Sequence, residues 1–211
     1  TLLFLNNINK ITICIEGNND KIQIERQDKF RKDGGENFID AKLIYSRGIK
    51  HSEKEYLIVT DNEIDAVKLA FAIEEGRVIA ESNTSIFTFF PTDKESHQSF
   101  YIHAPFETTP ARDNIVEDSK KNLKLVDNIC ECIQYAFEYM KDCGLLTIES
   151  INLIYPIYEY GKDTIFHAIY ECAIDMIASG KEIIPTNHSG VFKNKDLLLC
   201  FRRTPSKKFN F

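Results

Sequence analysis

The hydrophobic pattern of this chain changes period once, near Pro105. Before that point apolar residues mostly alternate with polar ones; after it they recur every three or four positions. A period of two sets one face of a strand against a core, and a period near 3.6 does the same for a helix. A sheet-forming half followed by a helix-forming half constrains the chain to the α+β class. The expectation is a β-rich lobe over residues 1–105 and an α-rich lobe over residues 106–211. No Ser/Gly-rich linker separates them, so one α+β domain is expected over residues 1–211.

In the first half, Ile11, Ile13 and Ile15 alternate with Thr12 and Cys14, and Ile22 and Ile24 with Gln23 and Glu25. The turn-rich residues 16–20 between them predict a hairpin. After a polar loop over residues 29–37, strands are expected at 38–47 and 56–59, with the charged stretch 51–55 between them. Residues 61–75 are ambiguous. Thr60 and Glu63 fit a helical capping box, but Val67, Leu69, Phe71 and Ile73 alternate with small or polar residues and favour a turn followed by a strand. Glu75-Gly76 then turns the chain into residues 78–80. Aromatic-rich strands follow at 86–90 and 100–103, with a polar turn between them.

In the second half, Leu123, Val126, Ile129, Ile133, Phe137 and Met140 form one apolar stripe on a helix that the pattern starts near Asn114. Gly144 suits the left-handed position just past its end. Thr147 is a candidate N-cap for a short helix ending before Pro156. Ile165/Phe166, Ile169/Tyr170, Ala173/Ile174 and Ile177 predict a helix over residues 163–179, stopped by Gly180. Residues 185–190 read as a turn, 191–201 as a returning strand, and 202–211 as a basic, frayed tail.

Composition narrows the function classes. A hydrophobic content of 43% supports a packed core, and a net charge of −6 speaks against a dedicated nucleic-acid binder. No apolar run approaches the ~18 residues of a membrane span, and no signal-peptide pattern opens the chain. Cys14, Cys130, Cys132, Cys143, Cys172 and Cys200 lie mostly in apolar periodic segments without zinc-ligand spacing. They read as free thiols of a cytoplasmic protein. Cys130 and Cys132, two apart on a predicted helix, face different sides. His97 and His103 flank a strand without a nearby carboxylate set, so no metal site is expected. Asp61, Glu63 and Asp65 lack the glycine and distal glutamate of a calcium loop and read as a solvated turn. No phosphate-binding glycine loop, GxSxG, HExxH or CxxC occurs, which argues against a stand-alone enzyme. The chain opens at Thr1 without a methionine and enters the apolar Leu2-Leu3-Phe4-Leu5, as a piece of a longer protein would.

Arg112 stands apart from these features. It follows Pro110-Ala111 and precedes Asp113-Asn114, at the expected mouth of the long helix. An anion there would be favoured by both the helix dipole and the guanidinium. The plainer alternative is a surface arginine paired with Asp113, Glu107 or Glu117.

The ordered set Phe87-Thr88-Phe89-Phe90-Pro91-Thr92, Ser99-Phe100-Tyr101-Ile102-His103-Ala104-Pro105-Phe106 and Ala111-Arg112-Asp113-Asn114-Ile115 resembles one region of the sacsin-type ATPases. These belong to the heat-shock-chaperone-like class with the GHKL nucleotide fold. The opening TLLFLNNINKI is similar to the segment after the nucleotide domain there. Lys121-Asn122-Leu123 resembles an Asn-Leu pair in the following helix, and Ile184-Pro185-Thr186 with Gly190 a later turn.

The resemblance implies the middle, transducer segment of such an ATPase, built on a ribosomal-protein-type βαβ module with helices beside it. ATP and Mg²⁺ would be bound by an upstream domain, whose Asn-bearing acidic helix and DxGxG loop do not occur in these residues. The chain alone would not hydrolyse ATP. In related chaperones an arginine in a Ser-Arg-Glu pattern reaches the terminal phosphate from outside the nucleotide domain. Here the pattern is Ala-Arg-Asp, which makes Arg112 the candidate and changes the local cap chemistry. The partner implied is the protein's own N-terminal nucleotide-binding domain. A client protein and a second copy of the chain are further candidates; nucleic acid and membrane are not. The rival reading is a non-enzymatic protein–protein interaction domain in which Phe87, Phe89, Phe90, Phe100 and Tyr101, or the helical lobe, dock a partner.

Overall fold

A computed structural model describes residues 2–14, 21–32, 37–60, 67–150, 153, 164–186, 188 and 190–193. Strands β1 (Lys10–Cys14) and β2 (Lys21–Phe30) pair with Ile11 opposite Ile24 and Ile13 opposite Ile22, the hairpin that the alternation predicts. β3 (Phe38–Arg47), β4 (Lys50–Thr60), β5 (Lys68–Glu74) and β6 (Arg77–Ile79) continue the sheet. β7 (Ser85–Thr88), β8 (Phe90–Glu95) and β9 (Tyr101–His103) complete it. The nine strands run in the order β1-β2-β3-β4-β5-β9-β7-β8, with β6 paired to β5 off that path.

Two strands differ from the sequence reading. β4 is not the short apolar strand expected at 56–59: it begins at Lys50 and carries its charged half into the ladder against β3. Backbone pairing is indifferent to side-chain polarity, and Lys42 of β3 binds Glu53 and Glu55 across the strands at 2.9 and 3.3 Å. Residues 91–95, expected as a turn, form most of β8. β8 ends the sheet order, where Pro91 can lack an N–H without breaking a central ladder.

The sheet buries residues on both faces. Phe38, Leu57, Val59, Leu69 and Phe71 point into a core shared with the helices. Ala41, Leu43, Tyr56, Ile58, Ala70 and Phe87 point the other way and are covered by Leu2, Leu3 and Phe4. The unbroken run Tyr56-Leu57-Ile58-Val59 follows from this: a strand buried on both sides has no polar face to alternate with.

Helix α1 (Lys120–Asp142) lies on the first face through Val126, Ile129, Ile133, Phe137 and Met140. Leu123, expected in the stripe, is exposed, and Asn122 and Leu125 are buried. α1 starts at Lys120 rather than near Asn114, because Ser119 caps it by accepting from the Asn122 N–H. Gly144 follows its end at φ +72°, as its position predicts. Thr147 does not cap with its own hydroxyl. Its carbonyl accepts from the Ser150 N–H at 3.0 Å, closing a 3-10 turn over Ile148–Ser150, and its N–H donates to the Ser150 hydroxyl at 3.2 Å; Pro156 lies outside the described residues.

Helix α2 (His167–Ala178) packs on α1 and is followed by Gly180 at φ +77°. β10 (Ile184–Pro185) and β11 (Phe192–Lys193) form a separate antiparallel pair flanking the expected turn. Residues 194–201 of the expected returning strand and the basic tail over 202–211 lie outside the described residues.

The α+β class holds, with a mixed sheet followed by a helical part. A βαβ module is not found among the described residues. The parallel pair β7–β9 is joined through β8, a strand, and both α-helices follow the whole nine-stranded sheet. No described helix is long and apolar enough to cross a membrane.

Candidate functional site

Between β9 and α1 the chain makes a projecting loop with Arg112 at its tip. Phe106 and Ile115 anchor its two sides in the core. Across the loop, Thr108 bridges Ile115 and the Thr109 N–H donates to the Asn114 carbonyl at 2.9 Å. The Thr109 hydroxyl donates to the Asp113 carboxylate at 2.6 Å, and the Asn114 side-chain oxygen accepts from the Ile115 N–H at 2.8 Å. The Asp93 N–H of β8 donates to the Asp113 carbonyl at 2.9 Å, tying the loop to the sheet edge.

Asn122 closes the base. Its side-chain oxygen accepts from the Glu107 N–H at 2.8 Å, and its amide donates to the carbonyls of Glu107 at 2.9 Å and Val116 at 2.7 Å. This explains a fully buried asparagine on an otherwise apolar helix face. The Val116 N–H donates to the Glu107 carbonyl at 3.0 Å, so the two stems are also joined directly.

Arg112 sits at φ +61°, a left-handed conformation that costs a residue with a Cβ on the order of 1 kcal/mol. Its N–H donates to the Thr109 carbonyl at 2.9 Å, and the residue is exposed. Its guanidinium has no ion pair or hydrogen bond among the described residues. The three acids that the sequence offers as partners are engaged elsewhere. Asp113 accepts from Thr109, Glu107 from the Ser119 hydroxyl, and Glu117 pairs with Lys94.

The helix-mouth placement expected for Arg112 is therefore corrected. The residue stands in a braced loop ahead of the Ser119 cap and is not part of the first turn of α1. Chemically, the loop presents an exposed cation with a planar donor fork on a braced backbone, suited to a carboxylate or phosphate brought to it from outside.

The clamp role of Asn122 was missed from the sequence. Its signal was position: Asn122 lies one turn before Leu125 and Val126, on the face that the apolar stripe marks as buried.

Of the aromatic residues considered for docking, Phe87 and Phe100 are in the core and Tyr101 is half-buried. Phe89 and Phe90 are 52% and 61% exposed at the β7–β8 turn. The Phe89 ring meets the His103 ring edge-on at 5.2 Å. His103 is buried against Phe4, and His97 approaches Glu95 at 3.4 Å. No group of three metal-ligating side chains occurs among the described residues. Asp61, Glu63 and Asp65 lie outside them. A separate groove of about 450 Å³ lies over β2–β4, where Arg31 pairs with Asp40 and Lys42 with Glu55. No loop residue from 107 to 116 lines it.

No protein-family model, curated protein or solved structure matches the chain.

Proposed function

We propose that this chain is the middle, transducer segment of a sacsin-like, heat-shock-chaperone-type GHKL ATPase. In this reading Arg112 contacts the γ-phosphate of ATP held with Mg²⁺ by an upstream domain of the same protein, in the cytoplasm. The observation that carries it is the braced loop: the Arg112 guanidinium has no partner among the described residues, while Asp113, Glu107 and Glu117 are engaged by other groups. A loop held at its base by Asn122 fixes the backbone from which the guanidinium reaches out, without consuming its charge. A preplaced cation meeting a γ-phosphate in a water-poor site stabilises developing negative charge. It also makes domain closure depend on the phosphate, since a ligand shifts only states that it contacts differently.

The test is ATP turnover of the full-length protein. Arg112→Ala and Arg112→Lys are expected to lower turnover by at least about 100-fold with the fold intact. Unchanged turnover would sink the role. The chain alone is expected to turn over no ATP, and nanomolar nucleotide affinity in it would overturn the reading.

One observation favours a second reading, a non-enzymatic interaction domain: Phe89 and Phe90 are adjacent, aromatic and exposed. The sequence encoded ahead of Thr1 discriminates. An Asn-bearing acidic helix and a DxGxG loop there support the ATPase; their absence supports the interaction domain.

A further inference from the structure

The seam between α1 and α2 carries one cysteine from each helix. The Cys130 thiol lies 3.6 Å from the carbonyl of Ala168, one turn before Cys172. The Cys172 thiol lies 3.5 Å from the carbonyl of Cys130 itself. Each sulfur therefore rests against the backbone of the other helix. The Gln134 amide donates to the Cys172 sulfur at 3.7 Å. Both cysteines are half-buried and carry free thiols. The other described cysteines are placed differently: Cys132 is buried in the core, Cys14 is exposed on β1, and Cys143 follows α1 beside Arg31.

We propose that Cys130 and Cys172 are a dithiol site that closes to an inter-helix disulfide when the protein meets hydrogen peroxide. Cys172 is the attacking sulfur. The neighbouring Cys130 thiol, and then the hydrogen bond from Gln134, favour its thiolate and lower its pKa below the ordinary thiol value against the opposing effect of burial. The neighbouring Cys172 sulfur, with burial, raises Cys130, which stays a thiol donating to the Ala168 carbonyl. The Cys172 thiolate displaces hydroxide from the peroxide O–O bond, giving a sulfenic acid. The hydroxide takes up a proton to become water. The Cys130 sulfur then attacks the sulfenic sulfur, its proton leaves with the departing hydroxide as a second water, and the S–S bond forms. Two thiols lose two electrons in all, and one peroxide becomes two waters.

The bond would close a loop across 42 positions and fix α2 to the helix that carries Asn122. Removing that loop's freedom from the unfolded chain should raise the thermal midpoint by about 5 °C or more.

The reduced chain, exposed to hydrogen peroxide and then alkylated, should yield a Cys130–Cys172 linked peptide by mass spectrometry. The midpoint should rise, and dithiothreitol should reverse both changes. Cys130→Ser should stop at a dimedone-trapped sulfenic acid on Cys172, and Cys172→Ser should remove the rise. Cys14→Ser and Cys143→Ser should keep the link. Overturning results are a Cys172 sulfenic or sulfinic acid beside an unlinked Cys130 in the wild-type chain, a link to another cysteine, or no oxidation of either residue. The wild-type measurement needs no substituted chain to fold.

Discussion

Asn122 and Glu107 are paired through both backbone groups of Glu107: the asparagine oxygen accepts from its N–H at 2.8 Å and the amide donates to its carbonyl at 2.9 Å. A side chain on α1 thus adds a strand-like pairing to a stem that is otherwise joined to Val116 and Ile115 across the loop. The loop that presents Arg112 is positioned by a helix that begins after it.

Removing that amide should be costly. Asn122→Ala leaves the Glu107 N–H and the Val116 carbonyl without this partner in a half-buried site. A loss of about 2 kcal/mol in urea-unfolding free energy is expected. A loss below about 0.5 kcal/mol would mean that water replaces the clamp freely.

Arg112 should behave in the opposite way. Its guanidinium supports nothing in the described fold, so Arg112→Ala should leave the thermal midpoint within about 1 °C. Because φ is +61°, Arg112→Val should destabilise by about 1 kcal/mol and Arg112→Gly should be neutral or slightly stabilising. Equal stability of the Val and Gly variants would show that the left-handed conformation is not maintained in solution.

Gly144 isolates backbone strain. A Cβ built there meets nothing within 4 Å, yet φ is +72°. Gly144→Ala should cost about 1 kcal/mol with no clash, and Gly144→Asn less, since asparagine tolerates the left-handed region better. Chemical denaturation of the two variants decides it.

The Tyr56 phenol donates to the Glu81 carboxylate at 3.2 Å. Burial first, and the Glu81 charge second, hold its pKa well above the ordinary 10.0. The folded state therefore keeps a proton that the unfolded tyrosine gives up. The resulting stability is complete below about pH 10 and is lost progressively above it. Tyr101 shifts in the same direction, mainly through burial. Urea midpoints at about pH 8, 10 and 11 should fall on the alkaline side. Tyr56→Phe should fall less steeply, after a loss of about 1 kcal/mol at the lowest pH from the missing hydrogen bond. Parallel profiles would exclude Tyr56 as the titrating group.

Much of the α+β architecture was legible in local pattern. The β1–β2 hairpin, β3, β5, the stripe on α1 and the stops at Gly144 and Gly180 all follow from neighbours a few residues apart. Their errors have a common source. The charged half of β4 joined the sheet because β3 offered a complete ladder, and residues 91–95 became β8 because β7 lay beside them. A backbone that finds partners pairs whatever its side chains are. α1 began later than its pattern allowed because Ser119 supplied a cap and Asn122 was drawn into the loop.

Arg112 shows the same division at the level of the site. Sequence by itself determined that a lone arginine lies between the sheet-forming and helix-forming halves, among three acids that could each neutralise it. Tertiary structure alone decided that it has no partner among the described residues. Thr109, Ser119 and Lys94 engage those acids, and Lys94 lies on a strand reached only through the folded sheet. Periodicity is set by nearest neighbours and survives in the sequence. The choice among partners depends on which groups the fold brings within hydrogen-bond distance, and no spacing along the chain records that distance.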